Sequence, residues 1–113
     1  MIKILFVSDR RDKINEFSTI FNKNTYEFSV MTDETLICDI ISVDAPDIII
    51  MDYTIPDLKK LNKKIKSVCE NSVIIFITPD DGLDKDLIKF ANAFLTDNMS
   101  SNLILSTINI NLR

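Results

Sequence analysis

The sequence predicts a doubly wound α/β fold: a five-stranded parallel sheet with five helices packed on its two faces. Three observations predict it. Ile48–Met51 and Val73–Thr78 are short, unbroken apolar runs, the pattern of central strands covered on both sides. Strand-like and helix-like segments alternate along the whole chain. Finally, Asp9, Asp52 and Asp97 each fall at or just after the end of a strand-like segment, and a parallel sheet brings such ends to one edge.

Taken in order, Ile2, Ile4, Leu5, Phe6 and Val7 make the first strand, which stops at Ser8–Asp9. Asp9 or Ser8 is placed to cap a helix over Arg10–Asn22, in which Ile14, Phe17, Ile20 and Phe21 recur at three- and four-residue steps. Tyr26–Met31 alternates apolar and polar residues, as a half-buried strand near a sheet edge does. Thr32 or Asp33 caps the second helix, which carries Leu36, Ile37, Ile40 and Ile41 and ends before Pro46. The third strand is Ile48–Met51, closed by Asp52 and followed by Pro56. Asp57 begins the third helix, with Leu58, Leu61, Ile65 and Val68 inward and Lys59, Lys60, Lys63, Lys64 and Lys66 outward. Val73–Thr78 is the fourth strand, and Pro79, Asp80, Asp81 and Gly82 are turn residues. Asp84–Asn92 reads as a short fourth helix, and Ala93, Phe94, Leu95 and Thr96 as the fifth strand. A fifth helix starts near Met99 and carries Leu103, Ile104, Ile108 and Leu112.

The 113 residues suit one domain, 1–113, and 46% apolar content is ample for a core. The net charge of −4 argues against nucleic-acid binding. The lysines of the third helix read as a solvated face, or alternatively as a docking face for an acidic partner. There is no histidine, which excludes histidine acid/base catalysis, His-based triads and the usual zinc sites. Gly82 is the one glycine, so a glycine-rich phosphate cradle is excluded as well. Cys38 and Cys69 have no metal-like or redox spacing and read as small buried hydrophobes inside helices. No apolar run approaches the roughly 18 residues of a membrane span, and no signal peptide opens the chain. A cytoplasmic protein without membrane contact is the expectation.

What chemistry the sheet edge supports follows from its acids. Carboxylates converging on a water-filled crevice suit a hard divalent cation such as Mg²⁺. An ionised aspartate beside that ion is also an oxygen nucleophile toward a phosphoryl group, needing no general base. Asp52, ending the central apolar strand, is the candidate chemical centre, and Thr78 adds a hydroxyl at the end of the next strand.

The segments KILFVSD, PDIIIMDYTIP, VIIFIT and AFLTDN, in this order and spanning essentially all of the chain, resemble the receiver domains of bacterial two-component response regulators. The resemblance implies a flavodoxin-like sheet of strand order 2-1-3-4-5. It implies that Asp52 is the phosphoacceptor, and that Mg²⁺ is held by Asp9, Asp52 and the backbone carbonyl of Thr54. Thr78 corresponds to the switch hydroxyl and Phe94 to the aromatic whose rotamer reports the switch. A sensor histidine kinase or phosphotransfer protein is the implied partner. The face of the fourth helix, fifth strand and fifth helix is the implied surface for output or homodimerisation. The chain is expected not to be an enzyme beyond phosphorylating and dephosphorylating itself at Asp52.

Three positions depart from that pattern. Ser8 stands where the family usually has a second acid. Asp97 and Asn98 stand where it has Lys-Pro, so a cation that neutralises phosphoryl oxygens is replaced by an anion. One unit-charge contact near 4 Å is worth roughly 4 kcal/mol at an effective dielectric of about 20, so the reversal weighs against a dianionic phosphoryl group. Asn98 also favours a trans peptide bond in that loop. Arg10 or Arg11, next to Asp9, offsets part of the negative charge. Two functions remain open on this reading: a phosphorylatable receiver, or a receiver-like scaffold that dimerises or docks without phosphorylation, either alone or as the N-terminal part of a longer regulator. A flavin, cobalamin or nucleotide binder of similar fold is disfavoured by the missing histidine and glycines.

Overall fold

The computed structural model describes residues 1–80 and 89–112. Five parallel strands, β1 (Ile2–Val7), β2 (Tyr26–Met31), β3 (Ile48–Asp52), β4 (Val73–Thr78) and β5 (Ala93–Thr96), form one sheet in the order β2-β1-β3-β4-β5. Every strand falls where the apolar runs, or for Tyr26–Met31 the apolar/polar alternation, place it. β3 lies at the centre and all five of its residues are buried, because both sheet faces are covered there. β2 is an edge strand whose exposure alternates from Tyr26 to Ser29, as its apolar/polar alternation requires, but Val30, expected on the inward face, is exposed.

Four helices occur among the described residues: α1 (Arg11–Ile20), α2 (Ile37–Val43), α3 (Leu58–Val68) and α4 (Ser101–Asn111). The predicted helix over Asp84–Asn92 lies for the most part outside the described residues, as do Asp81 and Gly82 of the predicted turn; Lys89 and Phe90 form a turn. Consequently α4 is the helix that the sequence counts as its fifth.

The core is in two layers. On one face Leu5, Val7, Ile49, Met51, Ile74 and Phe76 pack with Ile37 and Ile41 of α2 and with Leu58, Leu61 and Ile65 of α3. On the other, Ile4, Phe6, Ile48, Ile50, Ile75 and Ile77 pack with Phe17 and Ile20 of α1 and with Ile104 and Ile108 of α4. Phe6 stacks on Phe17 with ring centroids 4.7 Å apart, which ties β1 to α1.

Several local expectations shift. Neither Ser8 nor Asp9 is the N-cap of α1; Arg10 holds that position with no side-chain cap bond. The second helix opens as a 3-10 turn, Glu34–Leu36, capped by Asp33, which accepts from the Thr35 N–H. Val68, expected inward on α3, is the last residue of the helix and is exposed; Asn62 is buried instead, and its side chain donates to the Phe90 carbonyl at 2.8 Å. Cys69 is the C-cap of α3 rather than a helical residue, and both cysteines are free thiols. No cis peptide bond occurs among the described residues. No helix among them is long and apolar enough to cross a membrane.

Candidate functional site

The parallel sheet brings the ends of β1, β3, β4 and β5 to one edge, and the acids expected there meet at it unequally. Asp52 is the last residue of β3. Its neighbours in the sheet are fixed by the β3–β4 register, Asp52 opposite Ile77, and by the Tyr53 N–H bonding the Ile77 carbonyl at 3.1 Å. It is 0% exposed, and a charged carboxylate so buried must have its oxygens satisfied.

Its partners come from the β1–α1 junction. Ser8 Oγ donates to Asp52 Oδ2 at 2.7 Å and accepts from the Arg10 backbone N–H at 3.1 Å. Arg10 Nε donates to Oδ2 at 2.6 Å and Nη2 to Oδ1 at 2.9 Å, a two-point guanidinium–carboxylate pair. The Thr54 N–H contributes a longer contact to Oδ1 at 3.4 Å. Arg10 reaches Asp52 because its backbone is extended, at φ −80 and ψ 109, so its side chain crosses the sheet edge before the helix begins.

The same guanidinium continues to the β5 loop. Nη2 lies 2.9 Å from Asp97 Oδ1 and Nη1 3.4 Å from Oδ2. Tyr53 packs its ring 5.0 Å from the guanidinium carbon and donates its hydroxyl to Asp97 Oδ2 at 3.1 Å. Lys13, buried on the first turn of α1, donates to the Asp97 carbonyl and lies 3.9 Å from Oδ1. The cluster therefore sets two buried or half-buried acids against two cations. Partial burial works against the Arg10 charge, but the hydrogen bonds it donates to Asp52 and Asp97 outweigh it and raise the Arg10 pKa. Burial likewise opposes the Asp97 carboxylate, yet Arg10 and Tyr53 hold its pKa below the usual value. The hydrogen bond to Asp97 raises the Tyr53 pKa.

The other expected site residues are at the edge but not in this cluster. Asp9 is exposed and borders a cavity of about 30 Å³ with Ser8, Glu34 and Thr54. Thr78 is buried at the end of β4; its carbonyl accepts from the Asp97 N–H at 3.1 Å, and it shares no hydrogen bond with Asp52. Phe94 lies opposite Phe76 in the β4–β5 register and packs edge-on against it at 6.1 Å. Asn98 binds the Asp80 carboxylate through its backbone N–H at 3.3 Å and through its side chain, linking the loops after β4 and β5.

Arg10 and Lys13 are the site residues that sequence reasoning underused. A signal was present. Arg10, Arg11 and Lys13 crowd cations at the N-terminus of α1, where the helix dipole disfavours them. Cations placed against a dipole need anionic partners, and Asp52 and Asp97 are those partners. Arg11 is exposed, so Arg10 is the arginine that answers the charge reversal at Asp97.

A divalent ion does not fit the arrangement as it stands. Both Asp52 oxygens are committed to Arg10 and Ser8, and Mg²⁺ demands near-octahedral oxygen ligation with several retained waters. The cavity beside Asp9 has room for about two waters. No group of three or more acid, histidine or cysteine side chains placed to hold a metal occurs among the described residues.

No protein-family model matches the chain, and no curated protein matches it. Solved structures do. The N-terminal domain of the nisin resistance regulator NsrR, a lantibiotic response regulator, superposes with a TM-score of 0.86 at 19% identity, covering 100% of this chain and 99% of that one. The chain has the receiver-domain fold. A response regulator receiver domain from Clostridium thermocellum matches at TM-score 0.83 and 18% identity, over 99% of this chain and 94% of its own. A sensor histidine kinase receiver domain from Pseudomonas aeruginosa, with a magnesium ion coordinated in its active-site cleft, matches at TM-score 0.83 and 18% identity, over 98% and 97%. At these identities the likeness to receiver domains is one of fold, and the chemistry of the site rests on this chain's own side chains.

Proposed function

We propose that this chain is a receiver-like signalling domain in which Asp52 is the phosphoacceptor, guarded by Arg10. The observation that carries this reading is the position of Asp52: the buried last residue of the central strand, at the carboxyl edge where α/β sheets bind their ligands. In the reaction an Asp52 oxygen attacks the phosphorus of a donor. An O–P bond forms as the donor's bond to phosphorus breaks, and the leaving group departs with the electron pair. Arg10 must first withdraw from the oxygen that attacks, since both are occupied. Once the acyl phosphate forms, the same guanidinium and Lys13 are the cations at hand for its oxygens, in place of the lysine absent at Asp97. The donor is a sensor histidine kinase or phosphotransfer protein, and the domain is otherwise not an enzyme and works in the cytoplasm. Thr78 and Phe94 are the residues that carry the resulting change to the surface of β5 and α4, where Leu103 and Ile110 stand exposed for a partner or a second copy.

Intact mass after incubation with acetyl phosphate tests this. A gain of one phosphoryl group that disappears in Asp52→Asn supports the reading, and an equal gain in Asp52→Asn defeats it.

A second reading has its own observation. The two-point Arg10–Asp52 pair, fastened to Asp97, suits a domain that docks without phosphorylation, its edge held in one state by an internal ion pair. Partner or self-association that is indifferent to Asp52→Asn favours it.

A further inference from the structure

We infer that Arg10 is the resident cation of this pocket, occupying the place on Asp52 that a divalent ion would take and excluding that ion while it is docked. The inference rests on the reading of Asp52 as the reactive acid of the site, and deepens it by naming what controls access to that acid.

Three features make Arg10 a built part of the pocket rather than a surface arginine that happens to lie near. It is held at both ends: Nε and Nη2 face Asp52, while Nη2 and Nη1 face Asp97. Its flat side rests on the Tyr53 ring, and Tyr53 is itself fastened to Asp97 by its hydroxyl. Lys13 then satisfies the Asp97 carbonyl from behind, so the loop after β5 is drawn toward α1. A planar guanidinium matches two carboxylates in one plane in a way that an ammonium does not.

The rest of the pocket has adjusted to this cation. Ser8 supplies a hydroxyl donor to Asp52 Oδ2, which a second acid at that position would not do. Asp97, an anion, anchors the far side of the guanidinium, where a lysine would repel it. The departures at Ser8 and Asp97 are thus one exchange: the acid absent at Ser8 stands at Asp97, and the positive charge absent at Asp97 stands at Arg10 in the β1–α1 junction. The cavity lined by Ser8, Asp9 and Thr54, of which Ser8 and Thr54 also contact Asp52, is too small for a hydrated ion. Metal entry therefore requires that Arg10 leave and that the β1–α1 junction open. The coupling is reciprocal, so a metal that binds Asp52 weakens the Arg10 contact as much as Arg10 weakens metal binding.

The experiment is a titration with MgCl₂, followed by amide NMR at Ser8, Asp9 and Tyr53, on the wild type and on Arg10→Ala, Asp97→Asn and Arg10→Ala/Asp52→Asn. Arg10→Ala is expected to bind Mg²⁺ more tightly than wild type by about tenfold or more, and the double variant to lose that gain. Asp97→Asn keeps Arg10 but removes its anchor, and is expected to fall between the two; it carries the test if Arg10→Ala does not fold. Equal affinity in wild type and both single variants overturns the inference, and so does the absence of binding in all of them. Acetyl phosphate separates this from the broader reading. If Arg10→Ala gains metal binding but no phosphoryl group, the resident cation stands and Asp52 as phosphoacceptor fails. If wild type binds metal as well as Arg10→Ala and is phosphorylated, the reverse holds.

Discussion

Arg10 and Asp52 form a two-point ion pair, with Nε 2.6 Å from Oδ2 and Nη2 2.9 Å from Oδ1, across the junction of β1 and β3. The carboxylate has no other full-charge partner within the cluster, and it is completely buried. Removing one member of a buried pair leaves the other charge uncompensated, which typically costs about 3–5 kcal/mol. Arg10→Ala is therefore expected to lose stability on that scale in urea unfolding, and Arg10→Lys to recover only part, because an ammonium cannot span both oxygens and Asp97. A loss well below this range would mean that Asp52 finds another partner.

Ser8 gives Asp52 its third close contact, and the hydroxyl also receives the Arg10 N–H. A hydrogen bond to a buried charge is worth about 1.5–3 kcal/mol, so Ser8→Ala is expected to cost that much in the same assay. Its effect should shrink in an Asp52→Asn background, since the two side chains share one bond.

The acid limb of the stability curve carries a signature of Asp97. Its folded pKa lies below the usual 3.8. The native state therefore binds that proton less readily than the unfolded chain does. The resulting stability is fully present above the ordinary carboxylate value and is lost as pH falls through the folded one. Urea midpoints measured downward from pH 6 should drop less steeply in Asp97→Asn than in wild type.

Tyr53 gives the opposite sign at the alkaline end. Its pKa is raised from 10.0 by its hydrogen bond to Asp97, so its contribution is present below the ordinary value and lost as pH rises through the folded one. Phenolate absorbance should titrate later in the folded protein than in urea, and Asp97→Asn should move it back toward the ordinary value.

Asp57 holds the N-cap of α3 with φ 52, the one positive-φ residue other than glycine among the described residues, and its side chain makes no capping bond. Aspartate tolerates this region better than most residues, but glycine has no Cβ to clash there. Asp57→Gly is expected to be neutral to stabilising, by up to about 1 kcal/mol, in urea unfolding. A clear loss would show that the Asp57 side chain has a role at the helix start.

Most of the sheet could be written from the apolar pattern. Ile48–Met51 and Val73–Thr78 had to be central because nothing polar breaks them, and Tyr26–Met31 had to be near an edge because something does. Phe17 and Ile20 of α1 and Ile104 and Ile108 of α4 are buried as their spacing requires, whereas Leu103 of α4 is exposed. The departures are local: Val68, at the end of α3, faces solvent, and Asn62, within the helix, is buried where a turn from elsewhere in the chain offers it a carbonyl.

What the sequence by itself determined is the order of strands and helices, the address of Asp52, and the charge reversal at Asp97. These depend on periodicity and on residue identity, which are local. Which cation answers that reversal was decided by tertiary structure alone. Arg10 and Arg11 are equivalent on paper. Only the extended backbone at Arg10, the parallel pairing of β1 with β3, and the position of Asp97 beyond β5 bring one guanidinium within hydrogen-bonding distance of two acids 42 and 87 residues away in the chain. A contact of that separation leaves no periodic trace, because it is set by where the strands end in space.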